Sequence, residues 1–376
     1  MPDSADVTVF IDPVTHHFLR DELFNPENRH NIDGAHTPYF YLRDLFAVNG
    51  IEVHTADYLV SGEKTNRLNV YFSLGMLDKY RELASRSDVV LSGVFTFEAP
   101  IVQPSIYRAL PVLSRFFRRI FCYTTPQALE KFGCGGLTFD KLHIPYPKDR
   151  IIEELWANPD RKFLTLLNYN RLSRRTWHEL YTERLRALEF FSRYDEIDLY
   201  GMGWDKPPYR VGETWIPGSM QKLGRWFRQR AAPLIPMHPY AAVIRKTWRG
   251  AAPSKYVTQS RYTFTICYEN MALPGWLNEN VFDCFLVGSI PVFLGPPDIT
   301  DYIPAECFID KRQFASYEEL RSYLKALGPK EIKRYRENGR DYLSSEQFKP
   351  FTKEHFGQLF TRAVEADLGV ALQHSL

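Results

Sequence analysis

The stretch from Cys267 to Asp310, CYENMALPGWLNENVFDCFLVGSIPVFLGPPDITDYIPAECFID, constrains the fold more than any other part of the chain. Residues 262–268 are a β-rich apolar run, and residues 270–275 turn the chain. Val281, Phe282, Phe285 and Leu286 share one face at helical spacing, which predicts a helix over 277–287 stopped by Gly288. Residues 290–294 read as a second buried strand, ended by Gly295, Pro296 and Pro297. Strand, loop, helix and strand make a nucleotide-binding type of unit. A loop that enters a helix N-terminus beside the carboxyl end of a strand is where such folds usually hold phosphates.

The same rhythm runs through the rest of the chain. Over the first ~145 residues, strands are expected at 7–11, 51–55, 69–72, 89–91, 119–123 and 141–144, and helices at 39–48, 74–84, 105–116 and 126–132. After a connection over 145–159, a second series begins with a strand at 163–167, a long helix over 175–194 and a strand at 197–200. Helices are expected again at 317–327, 329–343 and 353–366. The fold class is therefore α/β, with two Rossmann-like doubly wound domains, 1–150 and 160–345, facing across a cleft. A C-terminal helical segment, 346–376, follows. The chain's 376 residues suffice for two cores.

Bulk properties exclude several classes. A net charge of +2 gives no global case for nucleic-acid binding. The five cysteines are odd in number and show no CxxC or Cys/His spacing, which points to reduced thiols in a cytosolic protein. No apolar run reaches the ~18–20 residues needed to span a bilayer. The N-terminal MPDSADVTVFIDP has no signal-peptide pattern. A cytoplasmic chain is expected, attached to a membrane at most by its surface.

The Cys267–Asp310 stretch resembles the donor-binding motif of family ten glycosyltransferases, the α-1,3/4-fucosyltransferases. Tyr268, Glu269 and Asn270 match the family's F/Y-E-N strand end. In the following Y-x-T-E-K element, Trp276 replaces the tyrosine, Asn278 the threonine, Glu279 matches, and Asn280 stands where the family has lysine. The segment 179–204 is similar to the family's first donor-domain helix and strand, and FTFEAPIVQPSIY, 95–107, to its E-P-P-x-x-x-P element. The resemblance spans much of 95–345. It implies the GT-B arrangement, an acceptor-side N-terminal half, and inverting transfer from GDP-fucose or a related nucleotide sugar to a glycan or lipid-linked oligosaccharide acceptor, with no further cofactor. The rival from a different class is a non-catalytic sugar-nucleotide or glycan-binding module with the same fold.

By this resemblance Glu98 is the general base. A carboxylate with reference pKa ~4.3 serves poorly near neutrality unless burial raises it, and Phe95, Phe97 and Ile101 are placed to supply that burial. A loop carboxylate capping a backbone amide is the alternative. Arg184 stands out from the residues alone. Trp177, Tyr181, Arg184, Leu188 and Phe191 follow 4-3-4-3 spacing, so the arginine lies within an apolar stripe. There it needs an anionic partner or an escape to solvent. The resemblance implies that the partner is the nucleotide diphosphate, which its planar fork suits; an ion pair with an interior acid is the alternative. Glu279 either accepts from ribose hydroxyls or complements the helix dipole. Asn270 is a ligand-facing amide or a turn residue. Tyr268 and Trp276 line the donor pocket or belong to the core.

Asn280 cannot supply the family lysine's charge, worth roughly 1.5–3 kcal/mol in one charge-assisted hydrogen bond. Arg184, Lys255 and Arg261 are the candidate substitutes, and a different donor or degraded activity also stays open. From Thr214 to Tyr268 there are nine basic residues and no acidic one. Within it, 220–236 reads as an amphipathic element for an anionic membrane surface or as a solvated basic loop. No DxD pair lies in a metal-binding context, so no metal is expected, and cations with helix amides are left to stabilise the leaving diphosphate.

Overall fold

The computed structural model describes residues 6–61, 67–148, 150–174, 176–212, 239–369 and 371–376. The element expected at 220–236 lies outside them. The chain divides into two compact units, one made of 1–98, 105–149 and 346–376, the other of 99–104 and 150–345.

The first unit is built on a six-stranded sheet of β1 (Val7–Asp12), β2 (Glu52–Thr55), β3 (Leu68–Ser73), β4 (Val89–Phe95), β5 (Arg119–Cys122) and β6 (Asp140–Lys141). Its order is β2-β1-β3-β4-β5-β6, with every pair parallel. Strands β1 and β3 are buried along almost their whole length, as strands covered by helices on both faces must be. The sequence order reverses between β1 and β3, a switch point of the flavodoxin-like kind. Asp12 and Ser73 end the two strands there, with the Ser73 hydroxyl donating to Asp12 Oδ2 at 2.7 Å.

Residues 346–376, expected as a separate piece, pack within this unit. The Lys353–Leu368 helix lays Phe360 on Phe95 (4.8 Å, stacked) and Phe72 (4.7 Å), while Phe95 stacks on Phe121 at 4.3 Å. Much of the chain's aromatic content goes into this core.

The second unit repeats the plan. Strands β7 (Lys162–Leu167), β9 (Ile197–Tyr200), β11 (Tyr262–Tyr268), β12 (Ile290–Leu294) and β13 (Ile309–Asp310) form a parallel sheet ordered β13-β12-β11-β7-β9. A small parallel pair, β8 (Arg171–Ser173) and β10 (Tyr209–Val211), lies beside it in sequence. The switch point here falls between β7 and β11. Tyr268 is in register with Leu294 at the carboxyl ends of β11 and β12.

Three expected helices are shorter than their patterns. Over 74–84 only Tyr80–Leu83 is helical, because Leu77 and Lys79 adopt φ of 57° and 61°. The helix expected over 175–194 runs Tyr181–Ser192. Residues just before it are held by backbone pairing to the loop after β11: Leu180 N donates to Asn270 O at 3.0 Å and Ala272 N to His178 O at 2.8 Å. Trp177 is therefore not on the helix. The helix expected over 277–287 begins at Asn280, since the Asn278 N–H is taken by a side chain at the end of β11.

Candidate functional site: the loop after β11 and the helix it enters

Three elements converge on the carboxyl end of β11. Arg184 comes from the Tyr181–Ser192 helix, which crosses from β7 to β9. Its Nε donates to Tyr268 O at 2.9 Å, Nη2 donates to the same carbonyl, and Nη2 reaches Asn270 Oδ1 at 3.2 Å. The guanidinium also lies over the Tyr181 ring, 5.0 Å from its centroid. Burial lowers its pKa, opposed by Tyr181 and by the nearby Glu269 carboxylate. The arginine's hydrogen bonds go to a strand-end carbonyl and an amide, with the interior acid close by.

Glu269 is that acid, a residue that in the sequence is a motif match without a role. It is 1% exposed, and its carboxylate accepts from Asn278 N (2.9 Å) and Asn278 Nδ2 (2.8 Å). Burial pushes its pKa up to about 7, helped by Glu279 and opposed by Asn278 and Arg184. A β-carbon on Gly295 would stand 2.8 Å from Glu269 Cγ, so the glycine of the Gly-Pro-Pro loop is what gives the carboxylate room. The loop is pinned from its other side by Asp298, whose Oδ1 accepts from Gly275 N at 3.0 Å.

The first helical turn follows. Glu279 is its N-cap, half-buried, with no side-chain capping bond; its carbonyl accepts from Phe282 N and Asp283 N. Asn280 is half-buried, and its carbonyl accepts weakly from Cys284 Sγ at 3.4 Å and Cys267 Sγ at 3.6 Å. Lys255, on the short Lys255–Gln259 helix, reaches Asp283 Oδ2 at 2.8 Å. Burial acts to lower its pKa, but Asp283, Glu279 and Tyr256 prevail and raise it. A full positive charge therefore stands beside the turn that carries Asn280.

Several sequence expectations are corrected. Tyr268 and Trp276 are 2% and 1% exposed, core side chains in place of pocket walls. Arg261 precedes β11, whereas the cluster lies at its far end; at ~3.3 Å per residue the strand carries them about 20 Å apart. It is no substitute for the family lysine. Glu98 is exposed, so the burial expected from Phe95, Phe97 and Ile101 is not there. Its backbone is fixed instead, with the Tyr107 hydroxyl donating to Glu98 O at 2.7 Å. Among the described residues, no group of three or more His, Cys, Asp or Glu is placed to hold a metal ion. No helix among them is long and apolar enough to cross a membrane.

Residues 231–355, which contain this entire loop and helix, match the profile of the glycosyltransferase family 10 (fucosyltransferase) C-terminal domain. About a third of the chain thus matches a family 10 glycosyltransferase domain. The likeness to individual fucosyltransferases is local. An α-(1,4)-fucosyltransferase of Arabidopsis thaliana is 33% identical over 73 residues, covering 19% of this chain and 18% of the plant enzyme. The Mus musculus 4-galactosyl-N-acetylglucosaminide 3-α-L-fucosyltransferase 9 is 40% identical over 70 residues, covering 18% of this chain and 20% of that enzyme. The aligned stretches thus span about a fifth of the relatives' length. Over the whole chain, an α-glucosyltransferase solved with UDP and DNA shares the fold at TM-score 0.51 and 12% identity, covering 95% of this chain and 99% of its own. The matched stretch therefore sits in a two-unit α/β chain that shares that enzyme's fold.

Proposed function

We propose that the chain is an inverting glycosyltransferase that moves a sugar, fucose in the first instance, from a GDP-linked donor to a hydroxyl of a glycan. The observation that carries this is the polar cluster at the end of β11, whose members other than Arg184 lie inside the stretch that matches family 10. Arg184, Asn270, Glu269 and Asn278 form one set that fixes the loop entering the Asn280–Val287 helix. A helix N-terminus presents amides without helical partners and favours negative charge by its dipole, which suits a diphosphate.

In this reading the diphosphate lies at the first turn. Arg184, Lys255 and the helix amides stabilise its developing charge, and Glu279 and Asn270 orient the nucleoside and phosphates. Glu98 takes the proton from the acceptor hydroxyl. The hydroxyl oxygen then bonds to the anomeric carbon from the face opposite the leaving group, and the bond to the β-phosphate oxygen breaks. Configuration is inverted and GDP leaves with the electron pair. An exposed glutamate suits a base that must meet an incoming acceptor, and its contribution is typically ~10²–10⁴-fold. The acceptor is a glycan or lipid-linked oligosaccharide, such as a lipopolysaccharide precursor. The reaction runs on the cytoplasmic side, and the basic 220–236 segment brings the enzyme to an anionic lipid surface.

Asn280 favours a second reading. It leaves the first turn without the family lysine, which supports a donor other than GDP-fucose. A panel of nucleotide sugars tested by thermal shift and by nucleotide release decides between them. GDP-fucose raising the melting temperature and releasing GDP supports the first reading. Stabilisation by another nucleotide sugar alone supports the second, and binding without release of nucleotide points to a non-catalytic sugar-nucleotide module.

A further inference from the structure

The first unit holds a cavity that the donor chemistry does not use. It has a volume of about 350 Å³ and lies at the β6 edge of the six-stranded sheet, lined from β5, β6 and the Lys353–Leu368 helix. The helix contributes His355, Leu359 and Arg362, at i, i+4 and i+7, a single stripe next to the Phe356 and Phe360 face that fills the core. The strands contribute Arg119 and Phe121 from β5, and Asp140 and Lys141 from β6, with His143 just beyond.

The chemistry of this lining is one-sided. Five side chains carry donor nitrogens, against the single carboxylate of Asp140. Arg119 is held in place by Asp367 Oδ1 at 2.8 Å, and the same oxygen takes Arg118 at 2.9 Å. With that pairing included, Arg118, Arg119, Lys141 and Arg362 are set against Asp140 and Asp367, and the balance stays positive. The two imidazoles lie 6.2 Å apart, centroid to centroid. Burial, then Lys141 and His355, pushes His143 down to about 3, and burial with Arg362 lowers His355. Both rings are therefore neutral N–H donors near pH 7. The apolar part of the lining is Phe121, Leu359, Pro350 and Ala363. A volume at the lower end of the ~300–1,000 Å³ typical of small-molecule sites suits a ligand the size of one sugar or one aromatic ring.

We propose that this cavity is a binding site for an anionic oxygen group, a phosphate monoester or a carboxylate, carried on a body that packs against Phe121 and Leu359. The site is independent of the proposed donor chemistry, since none of its residues belongs to the second unit.

The test uses the full chain titrated with phenyl phosphate, benzoate and the neutral analogue benzyl alcohol, followed by the ring signals of His143 and His355 in NMR. The expected result is that at least one anion binds and benzyl alcohol does not, with the His143 titration midpoint raised by about one pH unit or more while the site is occupied. Lys141→Gln and Arg362→Gln, both at exposed positions, each weaken binding about tenfold, the effect of losing one charge-assisted contact. Tighter binding of phenyl phosphate identifies a phosphate ester as the natural group, and tighter binding of benzoate a carboxylate. Equal binding of benzyl alcohol, affinity unchanged in both variants, or no binding by either anion overturns the proposal. Because donor binding is read separately with GDP, failure here leaves the proposed transferase activity standing.

Discussion

Glu269 grips Asn278 twice, accepting from its backbone N–H at 2.9 Å and from its side-chain amide at 2.8 Å. The strand end and the approach to the helix are thereby one rigid piece, and both contacts depend on a carboxylate that is almost wholly buried. Its pKa, raised from 4.5 to about 7, sets a pH window. Below about 4.5 the group is protonated whether the chain is folded or not. Between 4.5 and about 7 the unfolded chain releases the proton that the folded one retains, so stability falls as pH rises. Above that range the cost is complete, on the order of 3 kcal/mol. Glu269→Gln should flatten this slope, seen as urea midpoints that change less between about pH 5 and pH 8 than in the parent. A parent–variant difference that is constant across that range would mean that Glu269 does not titrate there.

Arg184 serves the same piece from the other side, donating to Tyr268 O and Asn270 Oδ1. A lysine in its place has no planar fork and cannot keep both acceptors. Arg184→Lys is expected to cost roughly 1–3 kcal/mol of stability from the acceptors left buried. At a temperature where the variant is fully folded, GDP affinity measured by calorimetry should fall at least tenfold. An unchanged GDP dissociation constant would confine the arginine to a structural role.

Glu98→Gln separates chemistry from binding. The side chain is exposed, so the substitution should leave the melting temperature within a degree or two, and GDP binding should survive. Turnover should drop by ~10²–10⁴-fold, the usual contribution of a general base. Full activity in the variant would remove Glu98 from the mechanism and direct attention to other carboxylates of the first unit. Asp12, buried at the β1–β3 switch point with its pKa raised to about 6, would be the next to test.

The long strands were legible because buried parallel strands read as continuous apolar runs: 197–200, 262–268 and 290–294 coincide with β9, β11 and β12. The two-residue edge strands were not: β6 is Asp140–Lys141 where 141–144 was expected, and β13 was not expected. Helix lengths were less legible. Apolar spacing carried the 175–194 helix back through Trp177, but spacing does not report that residues 178–180 pair with the 270–272 backbone. Arg184 was found because a cation inside an apolar stripe is a conflict visible in one dimension. Glu269 was not, since a lone acid at a strand end carries no periodic signal. Its burial follows from β11 being the middle strand of five, a fact of topology. Tyr268 and Trp276 stayed open in the sequence between pocket wall and core. Aromatic residues beside a motif look like pocket walls in sequence, and only the packing around β11 assigns them to the core.

The missing lysine gives the most direct test of the phosphate position. Lys255 bonds to Asp283, one helical turn after Glu279 and Asn280, so its charge stands beside the turn the family lysine would occupy. If it stands in for that lysine, Asn280→Lys should tighten GDP binding by tenfold or more, because a second cation then meets the phosphates without an intervening carboxylate. Without nucleotide the new lysine faces Lys255 and should cost less than ~1 kcal/mol, a half-exposed like-charge contact. With GDP saturating, the variant should melt above the parent. The paired change Lys255→Gln with Asp283→Asn removes the ion pair without leaving a buried charge alone. It should weaken GDP binding in the parent and much less in the Asn280→Lys background. The resulting cycle should show coupling of about 1 kcal/mol or more between positions 255 and 280. Additive effects would mean that the two cations do not share a phosphate, and the diphosphate would have to be sought away from the Asn280–Val287 helix.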